Sequence, residues 1–462
     1  SRIKEKRINK MIHRFIIISL LFICCNIVTS AQINPNLFGF CTSNSFTYVN
    51  TYDTSFHSKV DGLSPKVLRF PGGTIGNFYH PKGKAYGFSV TDVEKYYEGR
   101  FSSRVHTLIH AAKQKEHVTD YIEDFIILAK RYNSKVIVNA NILSSDKDEI
   151  IYILNKFKNE GLEVLGVELG SELSNRAYKK HIKSVYDYIN TAKSYSLYIK
   201  SVFPDIKVGV VAAPIKDKIP NRIRNWNTVL SNETFYDAII HHSYHKVVDG
   251  EEDAGVMISE DNVKNSKEEQ FHLYKDRILE ELSYGLVTRM NQYTSIFKNK
   301  EIWITEWNLQ MTKTTGNTFF QSLFVAHYLL ELLSNPNLQS VKIANYHNLA
   351  GRDVSASIFK GLKDGFEIHS TYEPLKYIRD VFEHDISKIE KKVIDNIFTY
   401  NCFNLNGDMI ISYVLDWNQY KIQYKNYTSD SPYNNIVFYS NNLYDIAKKD
   451  GILKINKSQI IE

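Results

Sequence analysis

Cysteine is scarce in this chain. It has four, and Cys24 and Cys25 fall within the first 31 residues. Cys41 and Cys402 are too few for a disulfide framework, and their spacing fits one disulfide or two buried thiols equally well. No CxxC or Cys/His cluster at zinc spacing occurs. No apolar run reaches the roughly eighteen residues that a stable bilayer span requires. Proline is sparse, and no Pro-rich or Gly/Ser-rich linker interrupts residues 35–375, which excludes a mucin-like, collagen-like or loosely tethered chain. With 43% hydrophobic and 23% charged residues, the 462-residue chain is not disordered and can bury a large core without staples.

The net charge of +6 hints at an acidic partner, but most of it is local. The first ten residues read as an upstream extension with the natural start at Met11. From Met11 the chain runs through His13-Arg14, the 11-residue apolar stretch Phe15 to Cys25, and small residues around Thr29 and Ala31. That order describes a secretory signal peptide cleaved near Ala31. Cys24 allows a lipoprotein signal, which bulky Ile23 disfavours. Loss of residues 1–31 removes six basic residues and one acidic residue and leaves about +1. No basic run of the kind that follows phosphates remains, so no nucleic-acid partner is expected, nor a stable membrane span after cleavage. Aromatic residues make up 13%, which suits an aromatic core or a stacking platform for sugars or bases.

Eight short apolar segments alternate with helical patterns: Leu37–Cys41, Lys66–Phe70, Lys135–Asn139, Val164–Leu169, Lys207–Ala212, Ala238–Ser243, Glu301–Thr305 and Ser340–Tyr346. Several are continuously apolar and β-branched, as strands buried on both faces should be. Helical periodicity covers Val118–Tyr132, Asp148–Asn159, Tyr178–Phe203, Leu273–Phe297 and Phe319–Ser334. This alternation predicts an α/β fold, a (β/α)8 TIM barrel over residues 32–378, with a doubly wound sheet as its main rival. From about residue 379 short strands and Asn-Gly and Asp-Gly turns take over, predicting a small all-β sandwich domain over 379–462, with a strand missing at an abrupt C-terminus.

In such a barrel, functional groups sit just past the C-terminal strand ends. Strand 4 runs into Glu168-Leu169-Gly170-Ser171-Glu172, and strand 7 into Ile304-Thr305-Glu306-Trp307-Asn308. Strands 4 and 7 lie nearly opposite in an eight-strand ring, so Glu172 and Glu306 can approach across the mouth. Two carboxylates about 5–5.5 Å apart are what retaining glycoside hydrolysis uses.

Together with Leu68-Arg69-Phe70-Pro71-Gly72-Gly73, these two segments resemble the clan A retaining glycoside hydrolases, nearest to family 51 (α-L-arabinofuranosidase) and family 79 (β-glucuronidase/heparanase). The resemblance implies a barrel joined to a β-sandwich, a carbohydrate substrate, and no metal or organic cofactor. It implies Glu172 as general acid/base, Glu306 as nucleophile, Arg69 as the cation that keeps Glu306 ionised, and His242 and Tyr244 as the family's His-x-Tyr, with Tyr244 donating to Glu306. Ser171 departs from the pattern, because the family places there an Asn that grips the sugar 2-hydroxyl.

Asn77 in the loop after strand 2, Asn139 and Asn141 on strand 3, Trp307, and Asn345 and His347 past strand 8 are further pocket candidates. His241, His242 and His245 suggest a metal cluster, but neighbours on a strand point to opposite faces. The stretch Asp249–Gln270 is either a lid or a solvated insertion. Two other functions compete with the hydrolase: a non-catalytic carbohydrate-binding relative, and an exported structural or adhesion protein.

Overall fold

The computed structural model describes residues 33–458 apart from Asn44, 84–85, most of 99–119, 217, 254–255, 261–264, 353–355 and 429–434. The expected signal segment and the last four residues lie outside the described residues.

Eight parallel strands close into a barrel: β1 (Gly39–Cys41), β2 (Val67–Phe70), β3 (Lys135–Ala140), β4 (Val164–Leu169), β5 (Lys207–Val211), β6 (Ala238–His245), β7 (Glu301–Leu309) and β8 (Val341–Tyr346). β1 pairs with both β2 and β8, which shuts the ring. All eight segments read from the sequence are these strands. β6 and β7 run longer than their apolar stretches, because polar residues continue the ladder to the mouth.

Side-chain alternation divides the barrel interior into layers. Val67, Ile137, Ala238, Ile240, Trp303 and Ile343 form an apolar plug. Trp303 fits because Gly166 and Gly209 face it; a methyl on Gly166 would come within 2.2 Å of its indole ring. The outward residues of the same strands, such as Leu68, Phe70, Val138 and Leu169, join the main core under the helices.

Helix boundaries follow their caps. Asp120 accepts from Ile122 N and starts Tyr121–Tyr132, which ends on left-handed Asn133. Ser184 and Asp187 form a capping box and start Val185–Val202, later than the periodicity indicated; a separate 3₁₀ turn holds Arg176–Tyr178. The pattern over 273–297 is two helices, Lys267–Glu280 and Leu286–Ile296, joined by the π turn Glu281–Gly285. Within the stretch 249–270, Gly250–Asp253 and Val256–Glu260 form a hairpin, and Glu260 accepts from Thr312 and Thr314 of the loop after β7.

Six further strands, from Ile386–Ile394 to Lys454–Ser458, form an antiparallel sheet in sequence order. A barrel followed by an all-β region is consistent with the barrel-plus-sandwich class expected. One face of this sheet lies on Phe319–Ser334, a helix buried on nearly every side because barrel and sheet cover it from both directions. Trp417 donates to His327 (3.2 Å) and Tyr400 to Glu331 (2.6 Å) across the junction. Cys41 and Cys402 are both buried free thiols, one on β1 and one in this sheet.

Glu331 is almost fully buried beside His327 and Lys391. Burial pushes its carboxyl up, but these two neighbours outweigh burial and hold it down at about 2. A carboxyl whose folded pKa is depressed stabilises above its unfolded pKa, and that stability fades as pH falls toward the folded value. Wild type should therefore exceed Glu331→Gln by on the order of 2 kcal/mol in urea unfolding at pH 7, with the gap closing between pH 4.5 and 2. A gap independent of pH would contradict the assignment.

Candidate active site

The layer above the apolar plug is polar, and it arises one pleat further along the same strands. Arg69 follows Val67 by two residues, Asn139 follows Ile137, Glu168 follows Gly166, His242 follows Ile240 and Asn345 follows Ile343. β7 departs from simple alternation. Its register carries one extra residue against both neighbours: Ile240 and His242 pair with Trp303 and Glu306, and Ala344 and Tyr346 with Ile304 and Trp307. This bulge lets Thr305 and Glu306 both face inward; Thr305 Oγ1 donates to Glu168 (3.1 Å) and Glu306 reaches Arg69.

Arg69 is the hub. It is fully buried, donates from Nε and Nη2 to the two oxygens of Glu168 (2.7 and 2.8 Å), and donates from Nη1 to Glu306 Oε1 (2.6 Å). The other oxygen of Glu306 accepts from the Tyr244 hydroxyl, and Nδ1 of His242 and of His347 lie 3.6 and 3.5 Å from it. Burial raises the Glu306 pKa, but His242, His347, Arg69 and the Tyr244 hydrogen bond outweigh it and hold the carboxyl far below the usual range. Tyr244 stays protonated, because burial and the Glu306 and Glu172 charges all oppose a phenolate.

Glu172 stands opposite at the tip of the β4 loop, and its Oε1 is 2.9 Å from His242 Nδ1. Oxygens of Glu172 and Glu306 and the His242 nitrogen all lie within 4.8 Å of one another. Burial lowers the His242 pKa, yet Glu306 and Glu172 outweigh it and leave the imidazole more basic than usual. Glu172 adopts φ of 53°, a left-handed conformation uncommon for a residue with a side chain. Asn77 holds this turn: its Oδ1 accepts from Ser171 N, and its Nδ2 donates to Ser171 O (both 2.8 Å) and to the Tyr178 hydroxyl. The side chain of Ser171 is buried, with its Oγ 3.4 Å from Arg69 Nη2.

The other candidates divide. Asn345 sits in the polar layer, fully buried, with neither amide atom hydrogen-bonded. Asn139 Nδ2 donates to Gly73 O, while its Oδ1 has no partner. Asn141 is committed to its own loop, donating to Tyr79 O and Ser144 and accepting from Leu143 N and Ser144 N. Trp307 points away from the mouth and stacks on Tyr328 of the helix Phe319–Ser334, with ring centroids 4.6 Å apart. His241 and His245 fall on the opposite face of β6 from His242. Donor sets close enough for a metal are Glu172/His242/Glu306 and Cys41/Glu306/His347. Reading strand ends alone misses Glu168. Its signal was present, as a carboxylate four residues before Glu172 on an otherwise apolar strand.

Arg69 neutralises two buried carboxylates at once, so its removal strands both. Arg69→Met should cost about 3–5 kcal/mol in urea unfolding at pH 7. A loss below about 1 kcal/mol would show that the pairs add little.

No protein-family profile matches the chain, and neither does any curated protein. Solved structures do. A GH51 arabinofuranosidase from Xanthomonas axonopodis pv. citri aligns at TM-score 0.57 and 14% identity over 87% of this chain and 83% of its own. AbfB, a family 51 α-L-arabinofuranosidase from Bifidobacterium longum, aligns at TM-score 0.58 and 11% identity over 93% of both chains. A 4-O-α-L-rhamnosyl-β-D-glucuronidase from Fusarium oxysporum 12S aligns at TM-score 0.53 and 13% identity over 87% and 79%. This chain thus resembles the clan A glycoside hydrolases, and family 51 among them, in a fold that extends through barrel and β domain alike.

Proposed function

We propose that this protein is an exported retaining glycoside hydrolase acting on a plant, algal or glycosaminoglycan-type polysaccharide or oligosaccharide. One observation carries the reading: Glu172 and Glu306 face each other across the barrel mouth with oxygens within 4.8 Å. Such an approach favours the separation of about 5–5.5 Å that direct attack by one carboxylate uses over the roughly 6.5–9.5 Å that admits the water of an inverting enzyme.

In the first step a Glu306 oxygen attacks the anomeric carbon. The bond to the glycosidic oxygen breaks, and Glu172 gives that oxygen its proton. In the second step Glu172, now a carboxylate, takes a proton from water. The resulting hydroxide oxygen attacks the same carbon and expels Glu306. Arg69 and Tyr244 keep Glu306 ionised and fix its plane. His242 is hydrogen-bonded to Glu172 and stands between the two carboxylates. Asn77 and Tyr178 hold the turn that aims Glu172.

Glu306→Ala should abolish glycan hydrolysis with the circular-dichroism spectrum of the native fold retained, at a lowered melting temperature because buried Arg69 loses one of its two carboxylates. Glu172→Ala should lose about 10²–10⁴-fold on natural linkages but far less on aryl glycosides with good leaving groups, which need no acid. Full activity of the first variant, or an equal loss on both substrate classes by the second, would sink these roles.

Export is supported by the order of residues 11–31. Mass spectrometry of the protein released by its native host should find a chain starting at Gln32; a chain retaining residues 11–31 would contradict it.

A further inference from the structure

Strands β7, β8 and β1 are neighbours in the ring, and their mouth ends bring together three unlike donors. Cys41 ends β1, Glu306 lies in β7 and His347 follows β8. One ligand atom of each lies within 4.8 Å of the other two. Among the described residues this is the donor set that contains sulfur. Cys41 and Glu306 are buried, and the His347 side chain, 12% exposed, connects the set to solvent. Cys41 faces the polar layer, where its Sγ accepts from Arg69 Nη1 at 3.6 Å. Gly72, with φ of 80°, leaves the sulfur its space; a Cβ there would stand 2.6 Å from it.

We propose that Cys41, Glu306 and His347 together bind one zinc-like divalent cation, and that the bound ion silences the enzyme by occupying Glu306. Sulfur and imidazole donors select a borderline-soft ion over magnesium or calcium, which take oxygen ligands. Donors around one tetrahedral zinc stand roughly 3.3–3.6 Å apart, so a small closure of these side chains completes three ligands and leaves a fourth position open. Charge favours the exchange. Buried Arg69, Glu168 and Glu306 sum to one negative charge, while His242 is answered separately by Glu172. Burial keeps the Cys41 thiol protonated. The ion displaces that proton to water, so binding adds one positive charge and brings the buried cluster to neutrality. Arg69, already beside the sulfur, then faces a thiolate. A Glu306 oxygen bound to the ion cannot attack an anomeric carbon. That consequence rests on the hydrolase reading; the binding itself does not.

The test titrates full-length, EDTA-dialysed protein with Co²⁺, a spectroscopic substitute for zinc. One ion per chain should bind with a near-ultraviolet thiolate-to-cobalt charge-transfer band, which added Zn²⁺ removes. Cys41→Ser should lose the band and bind zinc at least about 100-fold more weakly, because even outer-shell changes cost about 10–100-fold. His347→Ala keeps the sulfur and should weaken zinc binding to a similar degree, which covers a Cys41→Ser chain that fails to fold. Cys402→Ser removes the other free thiol and should retain band and affinity. Binding without the band, or equal loss in Cys41→Ser and Cys402→Ser, overturns the site. Hydrolysis of a panel of aryl glycosides by the same wild-type samples separates the two ideas. Hydrolysis that zinc stops and EDTA restores supports both. Hydrolysis untouched by zinc at a concentration that saturates the site overturns the silencing. A band with no hydrolysis by the metal-free protein keeps the site and removes the hydrolase reading, and hydrolysis with no band does the reverse.

Discussion

A single buried guanidinium organises this molecule. Arg69 has no exposed surface and binds two carboxylates, Glu168 and Glu306, from opposite walls of the barrel. A charge taken out of water must be paired on all its polar edges or it destabilises the fold. The planar five-donor fork of arginine can serve two carboxylates at once, where a lysine point charge would leave the geometry loose. Because β2, β4 and β7 each contribute one partner, satisfying Arg69 also fixes the relative height of those three strands. The demands of folding and of the proposed chemistry coincide: the same pair that neutralises the interior keeps Glu306 an anion.

Two backbone irregularities complete the site. The bulge in β7 turns two consecutive residues inward, so that Thr305 braces Glu168 while Glu306 reaches Arg69 and Tyr244. The left-handed turn at Glu172 lifts the second carboxylate over the mouth, and Asn77 holds that turn through both backbone groups of Ser171. Local strain is sustained where surrounding structure over-determines it, and here a buried amide from the neighbouring loop does so. The glycan 2-hydroxyl role that the resemblance assigns to the residue before the acid has no counterpart in Ser171, whose hydroxyl is turned toward Arg69. In the same polar layer both amide atoms of Asn345 and the Oδ1 of Asn139 are buried without a hydrogen-bond partner.

Much of this was legible in the sequence, for identifiable reasons. Strands buried on both faces must be apolar along their length, so all eight announced themselves. The polar residues that interrupt this apolarity at each C-terminal end, Arg69, Glu168, His242 and Glu306, are expensive to bury and so mark the functional layer. Glu168 obeys the same rule, but it lies inside its strand, two residues before the polar segment that the strand end announces. Trp307 and Asn141 looked like pocket residues because they neighbour the mouth in sequence. Alternation turns Trp307 into the helix layer, and a tight turn consumes the hydrogen-bonding capacity of Asn141.

By itself, the sequence determined the barrel, the all-β region after it and the two carboxylates, because periodicity, β-branching and the cost of burying charge are local properties of the chain. The tertiary structure alone decided how those groups meet. A bulge is one extra residue relative to neighbouring strands, and it exists only once the strands are paired. The approach of Glu172 and Glu306 to within 4.8 Å needs ring closure between β1 and β8, more than 300 residues apart. The cavity beside Glu172 is lined by residues scattered from 172 to 289, so it exists only when the segments after β4, β5 and β6 come together around one volume.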